Sequence, residues 1–573
     1  MYIMKKNTLY TALLATGLLF SGCGKDFLNK VPQGELFGDQ ITNGDGVEAL
    51  LLGAYSIMNG NVNGTWGHYA SGPSQWVFGE LAADNVHKGS DENDQAAMNL
   101  IETLRTTPTN DQVLVMWQVY YEGILRCNAT LKLLSADQAG AKDISPARAT
   151  AIEAEAKMLR GHYYFFLWRV FKNLPYIDEN TSVEDAQRMP NNTDIYEKIV
   201  ADVKHAMDNL PATKYKGEAG RMDKQIATAY LAKLYLYQGK HDLALPLFET
   251  VIAGKDLVGM AFENNFDIDK EDGPEAILVS KHAINPNGSG DNANVGDMLN
   301  GLYGTSQVNC CGFLQPTIDL VNAYKVDADG LPYLDDTYRD NPYLSDLGLE
   351  GKEKTDYKVD TKLRVDPRLD YTVGRRGVPY LDHGVMPGDA WMRKPSFAGP
   401  FVGMKSILKI SQFPGNVVSG ENYITGLDVN IMRLADVILM AAECAVETGD
   451  LGKALKYVNI VRERANKLPR KEVNNVMVAN YMVKPYPAFA DANYARKAVR
   501  MERRLELALE GHRFYDLVRW GIAKEVLESY SKFEGGYLPF FKGIVFNPHN
   551  AYFPIPQTEI DRSGATLDQN AGY

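Results

Sequence analysis

Apolar residues recur at helical spacing along most of the chain. Ile152, Ala156, Leu159 and Tyr163 follow one another at steps of four and three, which places them on one face of a helix. Strand-like alternation is scarce and is found near residues 276–280 and 371–373. The pattern therefore predicts an all-α protein in which the apolar helix faces pack on one another. The predicted helices cover residues 111–134, 147–171, 193–210, 226–252, 431–465 and 494–517, and two of these segments, 226–252 and 431–465, are each a pair of helices.

The two predicted helix pairs share a short internal repeat. Gly239 is followed after five residues by Ala and after nine by Phe, and Gly449 is followed at the same offsets by Ala and Val. The glycine ends the first helix, the alanine lets the second helix approach closely, and the large residue fills the groove one turn later. This is the arrangement of tetratricopeptide-like helix pairs, so we expect the pairs to form an α/α superhelical scaffold.

The middle of the chain, about residues 261–429, is rich in Gly, Asn, Asp and Pro, which interrupt regular helices. It keeps Tyr, Trp, Phe and Leu at the density of a folded protein, which disfavours a disordered linker. We therefore expect a large, ordered, loop-rich insertion that divides the helix-pair scaffold into residues of about 36–260 and 430–573.

The first residues have the pattern of a targeting segment. Two lysines precede an apolar run over residues 9–20, which is too short to span a bilayer. Small residues then precede Cys23, an order similar to the bacterial lipoprotein signal. We predict that residues 1–22 are a lipoprotein signal peptide and that lipidated Cys23 tethers the mature chain, residues 23–573, to a membrane. Secretion of a soluble chain without Cys23 is the alternative.

Composition and charge disfavour several classes of protein. The chain has 573 residues, 45% of them hydrophobic and 23% charged, as in ordinary globular proteins. Its formal net charge of -12 disfavours a nucleic-acid partner, because nucleic-acid binding depends on clustered Lys and Arg. The sequence has no HExxH, no GxSxG, no Walker loop and no pair of CxxC motifs. We therefore predict a protein that is not an enzyme and that uses no cofactor, and we predict no metal-ligating residues.

Four stretches of the sequence resemble the SusD-like (RagB/SusD) family of Bacteroidetes surface lipoproteins. The most informative begins at Glu502 and reads ERRLELALEGHRFYDLVRWG, a charged amphipathic helix pattern interrupted by one Gly-His-Arg step. The others are GELAADNVHKG from Gly79, EAKMLRGHYYFFL from Glu155 and NIMRLADVILMAAECA from Asn430. These motifs lie along most of the chain, so we identify it by resemblance as a member of that family.

The resemblance implies a function in nutrient import. It implies a lipid-anchored protein on the cell surface of the outer membrane, which captures an oligosaccharide or polysaccharide and delivers it to a SusC-like TonB-dependent outer-membrane barrel. Capture of a peptide, as by a RagB-like importer subunit, is the alternative in the same architecture. A glycoside hydrolase on a helical scaffold is a less favoured alternative, and it would need two carboxylates about 5 to 9 Å apart in a cleft.

Sugars present flat apolar CH faces between hydroxyl groups, so a glycan site needs exposed aromatic rings beside hydrogen-bonding side chains. Three segments combine these features, at residues 59–89, 285–312 and 374–404. The residues that we predict to bind glycan are Trp66, Tyr69, Trp76, Asn85, Tyr303 and Trp391, with the three tryptophans on one platform. The other tryptophans, Trp117, Trp168 and Trp520, lie in helical stripes and are expected in the core.

The adjacent cysteines Cys310 and Cys311 are a possible vicinal disulfide. Consecutive Cα atoms lie about 3.8 Å apart, below the separation of about 4.4 Å at the lower end for relaxed disulfides. A bonded pair and two free thiols therefore both remain open. Cys127 and Cys444 lie in helical patterns and are expected in the core.

Two groups of acidic residues have a structural interpretation. Glu502, Glu506 and Glu510 share a helix with several arginines, and the expected pairs Glu510–Arg513 and Asp516–Arg519 favour a structural network over acid–base chemistry. The second group, Asp267, Asp269, Glu271 and Asp272, is similar to a calcium loop, but a glycine comes one place late and Leu278 stands where a bidentate Glu is needed. We favour a solvated acidic turn there, and the same for Asp91, Glu92 and Asp94.

Overall fold

Helices dominate the part of the chain that the structure describes. The computed structural model describes residues 43–62, 67–305, 308–418 and 423–573. Before the insertion the helices are α1 Gly44–Ser56, α2 Ala96–Glu102, α3 Asp111–Ala139, α4 Pro146–Phe171, α5 Val183–Gln187, α6 Tyr196–Asn209, α7 Lys224–Tyr237 and α8 His241–Ile252. Those that follow are α9 Ile318–Ala323, α10 Gly351–Thr355, α11 Leu369–Thr372, α12 Pro395–Ala398, α13 Leu434–Glu447, α14 Leu451–Lys467, α15 Ala492–Leu507, α16 Arg513–Arg519, α17 Ala523–Glu534 and α18 Gln557–Arg562.

The long helices pack on one another in the order of the chain. α3 packs against α4, α4 against α6, α6 against α7, and α7 against α8. α8 then packs against α13, so the stack continues although the whole middle segment separates the two helices in sequence. α13 packs in turn against α14 and α15. This continuous stack of helices confirms the predicted all-α scaffold of helix pairs with a large loop-rich insertion. The predicted domain boundaries stay a prediction.

The repeat that the sequence indicated forms the turns of two helix pairs. Gly239 and Gly449 end α7 and α13 with φ values of 69° and 85°, the left-handed region in which glycine is favoured. The alanines and large apolar residues that follow are all fully buried in the groove of the neighbouring helix. They are Ala244, Phe248, Ala454 and Val458.

Short two-stranded sheets connect the insertion to the scaffold. The strands are β1 Val86–Gly89, β2 Ala276–Ser280, β3 Phe313–Pro316, β4 Arg364–Val365, β5 Val373–Gly374, β6 Val402–Gly403, β7 Val429–Arg433, β8 Glu472–Val473, β9 Val476–Met477 and β10 Asn480–Tyr481. Of the insertion strands, β2 pairs with β7, which precedes α13, and β3 pairs with β1, which precedes α2. Both pairs are antiparallel. The predicted strand at residues 276–280 is β2. The strand predicted at 371–373 is largely wrong, because α11 ends there before β5 begins.

One predicted helix is divided in two. Residues 494–517 form α15 and α16, separated by a turn in which Leu509 and Gly511 have φ values of 69° and 78°. The turn packs backbone to backbone on an earlier segment, because a Cβ atom at Gly511 would collide with the carbonyl of Ser74. The buried carboxylate of Glu80 accepts the N–H groups of Gly511 and His512 at 3.0 and 3.3 Å. These long-range contacts replace the helical hydrogen bonds that the periodicity predicted.

Two separate apolar cores lie within the described ranges. The main core runs through the helix stack and includes Cys127, Cys444, Trp117 and Trp168, as predicted. Trp520 is half-buried at its edge. The second core lies inside the insertion, and its members are Leu302, Val308, Tyr380, Met386, Trp391, Met392, Val402, Met404, Ile407 and Tyr423. Among the helices of the described residues, none combines the length and apolarity needed to cross a membrane.

Candidate functional site

Two of the predicted glycan-binding side chains are core residues. Trp76 begins a π-helical turn, is 0% exposed, and donates its Nε1–H to the carbonyl of Gly296 at 3.0 Å. Asn85 is 1% exposed; its amide donates to Glu80 at 3.0 Å and accepts from Arg504 at 2.9 Å. The buried ring of Trp76 cannot stack on a sugar. The side-chain amide of Asn85 is buried and already bonded to protein groups at its nitrogen and its oxygen, so it cannot bind a sugar hydroxyl. We therefore remove both residues from the candidate site.

Trp66, which was expected to complete a platform of three tryptophans, lies outside the described residues, as does Cys23. Three predicted residues remain: Tyr69, Tyr303 and Trp391. Tyr303 is half-buried, whereas Tyr69 and Trp391 are 6% and 9% exposed. Tyr303 is therefore the predicted ring with the most surface available to a ligand among the described residues.

Tyr303 and Trp391 lie on neighbouring loops. We call residues 301–305 and 308–312 the Tyr303 loop, and residues 388–394 the Trp391 loop. Their backbones touch, because a Cβ atom on Gly304 would collide with the carbonyl of Ala390. Trp391 packs in the second core with Leu302 and Val308, which flank Tyr303. Trp391 thus supports the loop that carries Tyr303 and presents only a small part of its own ring.

Trp391 itself is held by other rings. Its ring makes edge contacts with Tyr380 and His383, with centroids 5.5 and 6.2 Å apart. His383 Nε2 lies 2.8 Å from the carbonyl of Leu408, which fixes the imidazole in place. The exposed side chains of Leu381 and Val385 are next to this group in sequence. The insertion therefore packs these aromatic side chains together in the second core, next to the Tyr303 and Trp391 loops.

A third loop, residues 90–94 after β1, contacts both the Tyr303 loop and the Trp391 loop, and we call it the acidic loop. Its Ser90 N–H donates to the carbonyl of Gly312 at 2.7 Å, and the N–H of Gly312 donates to Gly301 at 2.9 Å. Arg393 of the Trp391 loop forms ion pairs of 2.8 Å with both Asp91 and Asp94. The loop is thus partly solvated, as the sequence interpretation had it, and its carboxylates are also paired across the chain.

Tyr69 belongs to the main core and not to the core that holds Trp391. It lies in the 3-10 turn Tyr69–Ser71. Burial raises the pKa of its hydroxyl, and the negative charge of Asp94 raises it further. The structure thus brings Tyr303 and Trp391 together, beside the ion pairs of Arg393, and shows no direct contact of either with Tyr69 among the described residues. Sequence reasoning missed Arg393, for which the only signal was the group of acidic residues at 91–94.

Cys310 and Cys311 lie at the end of the Tyr303 loop. Their Sγ atoms are in bonding contact, as in a vicinal disulfide. Cys311 is buried in the main core, and Cys310 is partly buried against it. A Cβ atom on Gly312 would touch the Cβ of Tyr303 at 3.2 Å, so the pair ends close to that ring. The disulfide stays a prediction.

The acidic residues of the C-terminal motif form a buried ion network. Glu502 and Glu506 are 0% exposed and share Arg368, at 2.7 and 3.0 Å. Glu506 also pairs with Arg433 and Arg464. Burial raises the pKa of Glu506, but these three guanidinium groups outweigh it and hold the pKa well below its usual range. A carboxylate held charged in this way is a poor proton donor, and its removal would leave buried guanidinium groups without their partner.

The network uses partners that differ in part from those predicted. Asp516 and Arg519 pair at 2.8 Å, as expected from their spacing. The expected Glu510–Arg513 pair is wrong, because Glu510 pairs with Lys405 and Arg433 across the chain. Arg513 forms its ion pair with Asp84 instead.

The second acidic turn is also occupied by protein partners. Asp267 pairs with Lys409, and Asp272 with Lys281 at 2.9 Å. Glu271 accepts the N–H of Asp428 at 2.8 Å, and burial together with the neighbouring Asp428 carboxylate raises the pKa of Glu271 to about 8. The turn borders a cleft of about 490 Å³. Within the described ranges, no group of three or more His, Cys, Asp or Glu side chains is arranged to hold a metal ion.

The fold and the loops define an α/α superhelical protein that carries a candidate site on an insertion. A family model described as the SusD family matches residues 274–573, more than half of the chain. A second model, described as starch-binding associating with outer membrane, matches residues 60–236. The chain belongs to the SusD family, which confirms the resemblance seen in its motifs.

Known proteins resemble the chain over nearly its full length. SusD-like protein P2 of Formosa agariphila is 24% identical, with 97% of this chain and 98% of that protein covered. A laminarin-binding SusD-like protein of known structure superposes with a TM-score of 0.63 at 22% identity, covering 93% of this chain and 100% of that chain. Surface glycan-binding protein A from Bacteroides thetaiotaomicron, solved with laminarihexaose, superposes with a TM-score of 0.64 at 19% identity, covering 92% and 99%. These similarities establish the fold.

Proposed function

We propose that this protein captures a polysaccharide or oligosaccharide at the cell surface and delivers it to a SusC-like TonB-dependent outer-membrane barrel. Capture would occur at Tyr303, with Trp391 beside it. The protein would take part in import by binding alone and would break no bond of its ligand. The starch-binding description of the matched family model and the laminarihexaose bound to a protein of the same fold support a glycan as the ligand.

The observation that carries the proposal is the setting of Tyr303. Its ring is half-buried on a loop, above the apolar core that holds Trp391. Asn309, which is exposed, accepts the N–H of Gly304 at 3.2 Å, and none of the residues that the structure describes accepts from its amide group. Arg393 and the acidic loop supply further donors and acceptors nearby. An aromatic face flanked by such groups suits a sugar ring with apolar faces and equatorial hydroxyls.

The carboxylates of the C-terminal network and of the acidic loop are not placed for hydrolysis. Hydrolysis of a glycosidic bond requires a carboxylic acid that can donate a proton beside a second carboxylate in a cleft. Glu502 and Glu506 are fully buried, and each is paired with arginine. Asp91 and Asp94 of the acidic loop are paired with Arg393.

We also propose that lipidated Cys23 anchors the protein to the outer membrane, with the folded body at the cell surface. The outer-membrane association in the description of the second family model supports this location. Metabolic labelling with a radioactive fatty acid is expected to mark the full-length chain and not the Cys23→Ala variant. Equal labelling of both chains would contradict the anchor.

The experiment that tests the proposed function uses a soluble form that lacks residues 1–23. Its migration is measured in native gels that contain starch, laminarin or other neutral polysaccharides, and the same mixtures are assayed for new reducing ends. We expect retardation by at least one polysaccharide and no new reducing ends. Unretarded migration in every gel contradicts glycan capture, and new reducing ends would identify a hydrolase.

Delivery to a barrel is tested separately. The lipidated full-length chain, extracted from outer membranes in mild detergent, is expected to copurify with a TonB-dependent barrel. Purification of the chain alone from these membranes, with the barrel present in the extract, would contradict that partnership.

A further inference from the structure

The Trp391 loop is held at alternate residues by different forces. Asp389 pairs with Lys354 of α10 at 2.5 Å. Trp391, two residues later, lies in the second core. Arg393, two residues later again, reaches the acidic loop, and Lys394 pairs there with Glu92. The apolar contact at the centre of the loop is thus flanked on both sides by ion pairs.

The acidic loop is built to receive Arg393. The Asp91 carboxylate accepts the N–H groups of Asn93 and Asp94 at 2.8 and 3.0 Å, which fixes its orientation. The buried Lys88 donates to the carbonyls of Asp91 and Asp94 at 2.7 and 2.5 Å. One ammonium group thus joins the backbone at two positions of the loop. The bonds within the loop therefore hold the Asp91 carboxylate without help from Arg393, so little ordering of that side chain opposes the pairing.

Arg393 occupies the acidic loop with both ends of its guanidinium. Nη2 lies 2.8 Å from Asp91, and Nη1 lies 2.8 Å from Asp94 and 3.0 Å from the hydroxyl of Ser90. The Arg393 side chain is 39% exposed, and those of Asp91 and Asp94 are 20% and 27% exposed. Salt in the solvent therefore reaches these pairs and screens them.

The contacts form a closed ring of three loops. The acidic loop is joined to the Tyr303 loop through Ser90 and Gly312, and the Tyr303 loop touches the Trp391 loop at Gly304 and Ala390. The pairs of Arg393 complete the ring. We infer that the ion pairs of Arg393 with Asp91 and Asp94 are a latch that positions Tyr303 and Trp391 for ligand. This inference rests on the proposed function, and it makes the affinity for an uncharged glycan depend on salt.

A neutral glycan releases no counterions when it binds, so a loss of affinity with salt would report on the latch and not on the ligand. Affinity is measured on the soluble form with the polysaccharide found by gel retardation, from about 10 mM to about 1 M NaCl. We expect it to weaken by about fivefold, the effect of losing a few exposed ion pairs. Arg393→Gln is expected to have the weaker affinity already at low salt and to show no further salt dependence. Arg393→Lys keeps the charge and is expected to retain part of the salt dependence.

Two further variants separate positioning from direct contact with the ligand. Asp91→Asn combined with Asp94→Asn removes the latch and leaves Arg393 in place, and it is expected to weaken binding as much as Arg393→Gln. Combining all three substitutions is expected to weaken binding no further, because they break the same interaction. The matched control is Arg496→Gln, which breaks the exposed pair with Glu447, where the side chains are 31% and 27% exposed. It is expected to leave both affinity and salt dependence unchanged.

Hydrogen exchange without ligand makes the latch testable even if no glycan binds. The N–H groups of Trp391 and Met392 donate within the loop at 3.1 and 3.0 Å, and we expect both to exchange faster in Arg393→Gln. Unchanged exchange overturns the latch. Faster exchange with unchanged glycan affinity overturns its positioning role and leaves the proposed function standing. Faster exchange in a protein that binds no glycan overturns the proposed function alone.

Discussion

The guanidinium of Arg513 makes two parallel hydrogen bonds to the carboxylate of Asp84, with distances of 2.7 Å from Nε to Oδ1 and 2.9 Å from Nη2 to Oδ2. The two residues lie 429 positions apart and join the two most distant family motifs. Asp84 also lies 3.0 Å from Arg504 and is fully buried. Burial raises the pKa of this carboxyl, but the two guanidinium groups outweigh it and hold the pKa well below its usual range.

Replacing Asp84 by Asn is expected to destabilise the protein strongly. The substitution keeps the shape of the side chain but leaves Arg504 and Arg513 without their shared negative charge, at a cost of about 3 to 5 kcal/mol. Urea unfolding of the variant measures this loss. The control is Glu184→Gln, whose partner Arg188 lies 3.8 Å away with both side chains more than 70% exposed. It should change the free energy of unfolding by less than about 1 kcal/mol. Equal stability of Asp84→Asn and the wild type would contradict a buried, charged pair.

His87 is expected to stabilise the fold below neutral pH and to stop doing so in alkali. Its ring nitrogens lie 2.9 Å from Glu102 and from Glu534. Burial lowers the pKa of His87, but the hydrogen bonds and charges of the two glutamates outweigh it and raise the pKa to about 9. The folded-state pKa lies above the usual value of 6.5, so the contribution is fully present below about pH 6.5 and is lost as pH rises through about 9.

The free energy of unfolding of the wild type and of His87→Gln, measured between about pH 6 and pH 10, tests this linkage. A shift of this size corresponds to about 3 kcal/mol, so the wild type should lose about that advantage over the variant across the range. A constant difference between the two proteins would show that His87 is not held in its charged form.

Two glycines are expected to respond in opposite directions to alanine. Gly449 has a φ of 85° and nothing within 4 Å of an added Cβ, so Gly449→Ala should cost about 1 kcal/mol through the backbone alone. Gly53, inside α1, also has nothing within 4 Å, and Gly53→Ala should stabilise the protein by about 0.5 to 1 kcal/mol. Thermal unfolding of the two variants checks the signs. A stabilising Gly449→Ala would contradict the left-handed turn between α13 and α14.

The sequence predicts the helices well because their periodicity is a local property. The stripe of Ile152, Ala156 and Leu159 requires only that one face of α4 be buried, and all three are fully buried. The spacing of Asp516 and Arg519 likewise finds a true pair, since both lie on one helix face. Local rules fail where a partner comes from elsewhere in the chain. Glu510 and Arg513 have suitable spacing, but a turn separates them and each meets a stronger partner.

The candidate site is only partly predictable for the same reason. Trp76 stands among Gly, Ser and Pro, a composition typical of exposed loops. Its indole is nevertheless in the core, where it donates a hydrogen bond to the carbonyl of Gly296. Tyr303 and Trp391 were found by the same rule, and they lie on touching loops. Nothing in the sequence places Arg393 beside Asp91, because the two loops are joined only by the folding of the insertion onto β1.

The central claim is that the surface around Tyr303 binds glycan, and calorimetric titration of the polysaccharide found by gel retardation tests it most directly. Tyr303→Ala is compared with Tyr537→Ala, which removes an aromatic ring, 36% exposed, of the C-terminal region. We predict that Tyr303→Ala weakens binding by about 2 kcal/mol, the usual effect of losing a central aromatic contact, and that Tyr537→Ala binds like the wild type. Wild-type affinity in Tyr303→Ala, with its fold intact by circular dichroism, would contradict this site.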